Sequence, residues 1–147
     1  MSITASGLFG LTWEKMWIDT AGQSMEAETH KCMMTTDTYT PDFNAHDFRV
    51  DVTNEVTGTG YTLGGQTITG TEWTISGGVA TYDHADVAWT TSTIANAMCG
   101  IDYFNVGADT TDQLLFLMDF VTAASSSGGT FTIQINASGA VTLDFTP

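Results

Sequence analysis

Three histidines, two cysteines and two short acidic clusters are the residues in this chain whose types could do chemistry. His30, His46 and His84 could ligate a metal or act as bases; His46 stands beside Asp47, and His84 between Asp83 and Asp86. No motif joins them, since the chain has no GxSxG elbow, no HExxH, no glycine-rich phosphate loop and no CxxC pair. Solvated or capping histidines are the expectation. No catalytic residue, no metal ligand, no cofactor and no enzymatic activity is predicted. Cys32 and Cys99 could pair or stay free; each sits in an apolar, strand-like stretch, which favours two reduced thiols acting as small core hydrophobes. The stretches Asp83-His84-Ala85-Asp86 and Asp109-Thr110-Thr111-Asp112 look like fragments of calcium loops. Calcium takes roughly six to eight oxygens and neither stretch has EF-hand spacing, so Asp and Thr bonding their own turns is the default reading, with a site shared between loops as the alternative.

The aromatic residues offer a different chemistry, because flat rings stack on sugars and anchor protein interfaces. Tyr39, Phe43, Phe48, Tyr61, Trp73 and Trp89 are the candidates, and most are expected in the core. Tyr39, Phe43 and Tyr61 fall in a segment rich in turn formers and are expected to be exposed.

Phe9, Trp13, Met16 and Trp17 share one face of a helix running from about Ser2 to Asp19, stopped near Gly22. Glu28 to Thr36 reads as a strand. Residues 37–65 form a long loop with one helical turn near Ala45 to Val52; loops of that length are usually functional. Short strands follow: one through Trp73 and Ile75 turning at Gly77-Gly78, one with Val87 and Trp89, a longer buried one from Ile94 to Phe104, and the apolar QLLFLMDF, covered on both faces. ASSSGG reads as a linker or hairpin tip, and GTFTIQIN and AVTLDFT as a strand pair joined at Ala137-Ser138-Gly139. The turn spacing predicts an all-β, mainly antiparallel domain, a β-sandwich or jelly-roll-like body over 23–147 with an N-terminal helical arm over 1–22.

Composition excludes several partners. With 17 acidic residues against Lys15, Lys31 and Arg49, the net charge is -14, which repels nucleic acid and anionic membranes and favours a basic protein surface. At 147 residues one core suffices, and no segment approaches a membrane span. The start MSITASGLFG has no basic region or apolar run of a secretory signal, so synthesis and retention in the cytoplasm are expected.

The run YTPDFNAHDFRVDVTNEVTGTGYTLGGQTITG, Tyr39 to Gly70, is the most distinctive stretch. With Trp89 and Ser92-Thr93-Ile94, and the closing segment Gly129 to Gly139, it resembles a family of small virion proteins from tailed bacteriophages. The stretch MCGIDYF, Met98 to Phe104, departs from that family's more open alternation of Val, Tyr and Lys. The resemblance implies a virion component made in the host cytoplasm: first a capsid decoration (cement) protein bridging major capsid subunits, alternatively a head-fibre, tail-tip or baseplate component contacting the host receptor. Its partners would be the major capsid protein or neighbouring virion proteins, and the chain itself a homo-oligomer, with a trimer as one form. The contacts expected for that role are Phe9, Trp13 and Trp17 on the arm, and Tyr39, Phe43, Phe48, Arg49 and Tyr61 on the loop, with Arg49 paired to a nearby carboxylate or to another subunit.

Overall fold

In the computed structural model, which describes residues 3–18 and 22–146, the chain forms two antiparallel sheets and one helix, an all-β, sandwich-like fold. Strand β1 (Gly7–Leu8) and helix α1 (Gly10–Trp17) lead to β2 (His30–Thr35). A 3-10 turn (Arg49–Asp51), β3 (Gly58–Thr59) and β4 (Gln66–Thr67) follow. Then come β5 (Glu72–Ser76), β6 (Val79–Asp83), β7 (Val87–Phe104), β8 (Leu114–Ile133) and β9 (Val141–Asp144). The larger sheet runs β1-β8-β7-β2-β4 with β3 also on β7; the smaller runs β5-β6-β9.

Alternation along a strand explains why β2 and the second half of β7 are buried at nearly every position: both of their faces are covered. Pairing of Met33 with Ile101 and Thr35 with Cys99 sets those residues on one face with Tyr103, where Ile3, Phe9, Tyr39 and Leu114 pack over them. His30, Cys32, Asp102 and Phe104 alternate onto the other face, where Tyr82 of the smaller sheet meets His30. Between the pairs Tyr103–Leu114 and Asp102–Phe116, Leu115 is an extra residue, and this bulge turns both Leu115 and Phe116 toward Tyr82 and Phe104. The turn into β4 comes so close to β2 that a Cβ on Gly65 would lie 1.8 Å from the Cys32 carbonyl oxygen, at a φ of +72°. Only glycine fits there.

Several expectations need correction. The helix begins at Gly10, whereas Gly7 and Leu8 form a strand on Phe116 and Leu117. Gly7 lies against the Phe43 ring, 2.8 Å from where a Cβ would sit, and that contact favours extended chain over a glycine-weakened helical turn. The expected helix ends, Ser2 and Asp19, lie outside the described residues. ASSSGG is neither linker nor tip; it lies inside β8, with Ser126 opposite Ile94 and Gly129 opposite Ser92. Its hydroxyls replace backbone partners where the register slips: Ser126 Oγ accepts from the Ile94 amide at 3.2 Å, and Ser125 Oγ from the Asn96 amide at 3.0 Å. GTFTIQIN and AVTLDFT do not pair. The turn between them carries the chain across to the smaller sheet, where β9 pairs with β6. The Gly77-Gly78 hairpin and the helical turn within Ala45 to Val52 are both present, the latter at Arg49–Asp51.

Candidate functional site

The densest cluster of titratable groups lies between the two sheets. Cys32 stands opposite Asp102 in the β2–β7 ladder, and His84, just beyond β6, brings Nε2 to 2.9 Å from Asp102 Oδ2, with both side chains fully buried. The contact is close but poorly aligned, so it is an ion pair more than a directed hydrogen bond. His84 Nδ1 lies 2.8 Å from the Ala85 carbonyl oxygen and donates to it, which leaves Nε2 to carry the second proton toward the carboxylate. Burial lowers the His84 pKa, but the Asp102 carboxylate against the ring outweighs it and the net shift is upward. His30 is the opposite case: burial pushes it down to about 4 against the pull of Asp102, and its Nδ1 sits 3.0 Å from the Tyr82 hydroxyl. The two buried histidines are thus shifted in opposite directions, and both correct the expectation of solvated rings.

This cluster has the residue types of a catalytic site and none of its access. Burial raises the Cys32 thiol pKa well above normal and that of Cys99 to about 11, so neither is a thiolate nucleophile near neutral pH. Both cysteines are free and buried. Among the described residues no group of three or more His, Cys, Asp or Glu side chains could hold a metal ion. One carboxylate of each acidic cluster bonds its own turn and the other a distant segment: Asp112 Oδ1 accepts from the amides of Val106 and Gly107 at 2.8 and 3.0 Å and Asp83 Oδ1 from that of His84 at 2.9 Å, whereas Asp86 Oδ1 accepts from the Ile135 amide at 2.8 Å and Asp109 pairs with Arg49. Chemically the His–Asp–Tyr cluster is a polar tie between β2, β6 and β7.

The expected contact residues divide sharply. Phe9 is fully buried against Phe43, ring centroids 5.3 Å apart, and Trp13 donates its indole N–H to the Leu115 carbonyl at 3.0 Å. Tyr39 is 1% exposed, with its hydroxyl 2.8 Å from His46 Nδ1. Tyr61 stacks on Trp89, donates to Glu55 Oε1 at 2.7 Å and accepts from the Met34 amide at 3.0 Å. The Phe48 ring lies under the Lys15 ammonium, which also bonds Asp47. Arg49 pairs with Asp109 and, at 3.6 Å, with Glu55, so its partners are within the chain. The aromatic residues of the 37–65 loop are anchors, not free contacts: a long segment with few ladder bonds is held by inserting its rings into the core.

Trp17 alone of that set stays largely exposed, at 68%. With Trp13, Met16, Met25, Trp73, Leu143 and Phe145 it lines an open apolar groove of about 240 Å³ between α1 and the smaller sheet. Phe145, 57% exposed, forms the far wall, and Ile18, 61% exposed, continues the surface. Glu26 reaches the same place, accepting from the Trp73 amide at 3.2 Å, and Glu72 and Asp144 are exposed on the strands that form it. No family model matches the chain, and no curated protein or solved structure matches it either. The groove therefore stands on its own geometry. The helical stripe signals Trp13, Met16 and Trp17, and Trp73 is among the aromatic candidates; nothing local marks Met25 or Phe145, and these residues meet only in the folded chain. Among the described residues no helix is long and apolar enough to cross a membrane.

Proposed function

We propose that the chain is a structural virion protein of a tailed bacteriophage, a capsid decoration protein that bridges major capsid subunits. The observation that carries this reading is the Trp17–Phe145 groove: an aromatic and Met-rich surface, open on a chain whose chemically competent groups are sealed inside. Interface cores are enriched in these residue types, and contiguous exposed apolar surface marks an interaction site. The Glu26 carboxylate beside it, in a chain of net charge -14, suits a partner with apolar residues ringed by Lys and Arg. The resemblance over Tyr39 to Gly70 supplies the particle.

The test uses purified particles. Quantitative mass spectrometry should find the chain in hundreds of copies, and particles lacking it should rebind the wild-type chain but not Trp17→Ala/Phe145→Ala. A handful of copies at one vertex would replace this reading with a fibre, tail-tip or baseplate role.

A further inference from the structure

The smaller sheet is held by few contacts. In its three strands, β5, β6 and β9, only Ala80 and Tyr82 are buried, and among the described residues none of the three pairs with a strand of the larger sheet. An element with so little buried surface is where a fold opens first. Trp73, Tyr82 and Val141 stand opposite one another in the ladders and so share a face, with Leu143 two residues beyond Val141. Tyr82 carries that face onto Phe104, Leu115 and Phe116 of the larger sheet, while Trp73, Leu143 and Phe145 reach past it to line the groove beside α1. Whatever holds Tyr82 in place therefore holds one wall of the groove.

Tyr82 rests on a histidine. Its hydroxyl lies 3.0 Å from His30 Nδ1, and its ring stacks on the imidazole with centroids 5.6 Å apart. His30 is 1% exposed, and its Nε2 is buried without a hydrogen-bond partner. The titratable groups around it come from every neighbouring element: Cys32 along its own strand, Asp102 from β7, Tyr82 from β6 and His84 just beyond β6, with Asp83 bonded to the His84 amide. From the turn at 25–27, the Met25 backbone lies by the ring, and the Glu26 carboxylate accepts from the Trp73 amide. A proton arriving on His30 enters a site closed to water, beside a second imidazole that already faces the same carboxylate. Burial opposes that proton most and His84 adds to the opposition, so the pull of Asp102 leaves the pKa at about 4 against an ordinary 6.5.

We propose that the His30–Tyr82 contact is an acid-operated latch: protonation of His30 releases the smaller sheet from the larger and takes Trp73, Leu143 and Phe145 away from α1, dismantling the groove. Lifting Tyr82 returns the imidazole to water, so acid favours the open form by mass action on the ring. The larger sheet keeps its own ladders in that form, since β2, β7 and β8 pair with one another and not with β6. The consequence for docking rests on the virion reading of the groove; the latch does not.

Amide hydrogen exchange followed by NMR tests the latch on the full chain between pH 6.5 and about 4, with rates corrected for the pH dependence of free amides. The β6 and β9 amides should share one opening, easier than the one that exposes the β7–β8 ladder. Its equilibrium constant should rise by about tenfold for each pH unit lost, as one proton is taken up per opening. His30→Gln and His30→Phe, the second matched to the rings of Tyr82 and Phe104 around it, should both remove that slope. Glu26→Gln should keep it. Equal protection of the two sheets at every pH overturns the proposal, because they would then open together, and so does a wild-type opening indifferent to acid. A slope that persists in either folded His30 variant, or that vanishes in Glu26→Gln, assigns the titration elsewhere and overturns it equally. None of these readouts involves a particle, so failure of the latch and failure of the virion reading are separate results.

Discussion

His84 Nε2 lies 2.9 Å from Asp102 Oδ2 with neither side chain reaching solvent, and this pair joins the end of β6 to the middle of the larger sheet. Removing one member strands the other as an unpaired buried group, so Asp102→Ala should destabilise the fold by about 3–5 kcal/mol in urea titrations. Replacing both with apolar residues, as in His84→Leu/Asp102→Leu, should cost much less. Equal losses in the two proteins would show that the pair is not what holds this junction.

Stability should depend on pH in two separate windows, because the two buried histidines shift in opposite directions. Burial holds His30 down to about 4, so between that value and the ordinary 6.5 the unfolded chain binds more protons, and stability falls as pH falls through this range. For His84 burial is outweighed by Asp102 and the folded pKa lies above 6.5; its contribution is complete below 6.5 and is lost as pH rises through the folded value. His30→Gln should flatten the acid limb and His84→Gln the alkaline one. An unchanged acid limb in His30→Gln would assign it to other groups.

Tyr61 closes the 37–65 loop by bonding both Glu55 and the Met34 amide. Tyr61→Phe leaves that amide without its hydroxyl partner and should cost about 1–3 kcal/mol of unfolding free energy. Binding to particles should survive at temperatures where the variant is folded, since the ring anchors the loop and does not meet the partner.

Trp17→Ala should behave in the reverse way. The side chain is 68% exposed, so stability should stay within about 0.5 kcal/mol of wild type by thermal melts, while particle binding drops sharply. Retained binding would move the docking face elsewhere.

The sequence was legible where a residue type has one physical role. Gly77-Gly78 specifies a tight hairpin, and the unbroken apolar run at Leu114 to Leu117 specifies a strand buried on both sides. Polarity misled where it served the interior. Ser125 and Ser126 look like linker residues, yet their hydroxyls stand in for ladder bonds across a slipped register. His84 looks solvated beside Asp83 and Asp86, but its partner is Asp102, and only the placement of β6 against β7 brings the two together. Turn formers around Tyr39 and Tyr61 describe the path of the loop and say nothing about which way its rings point.

The Trp17–Phe145 groove takes one wall from the first helix and the other from the last strand and its following residue. The groove has both walls only when β9 has crossed from the larger sheet to pair with β6. A copy whose last strand is not yet in place therefore lacks one wall, and on the docking proposed above only molecules with β9 seated would bind the particle.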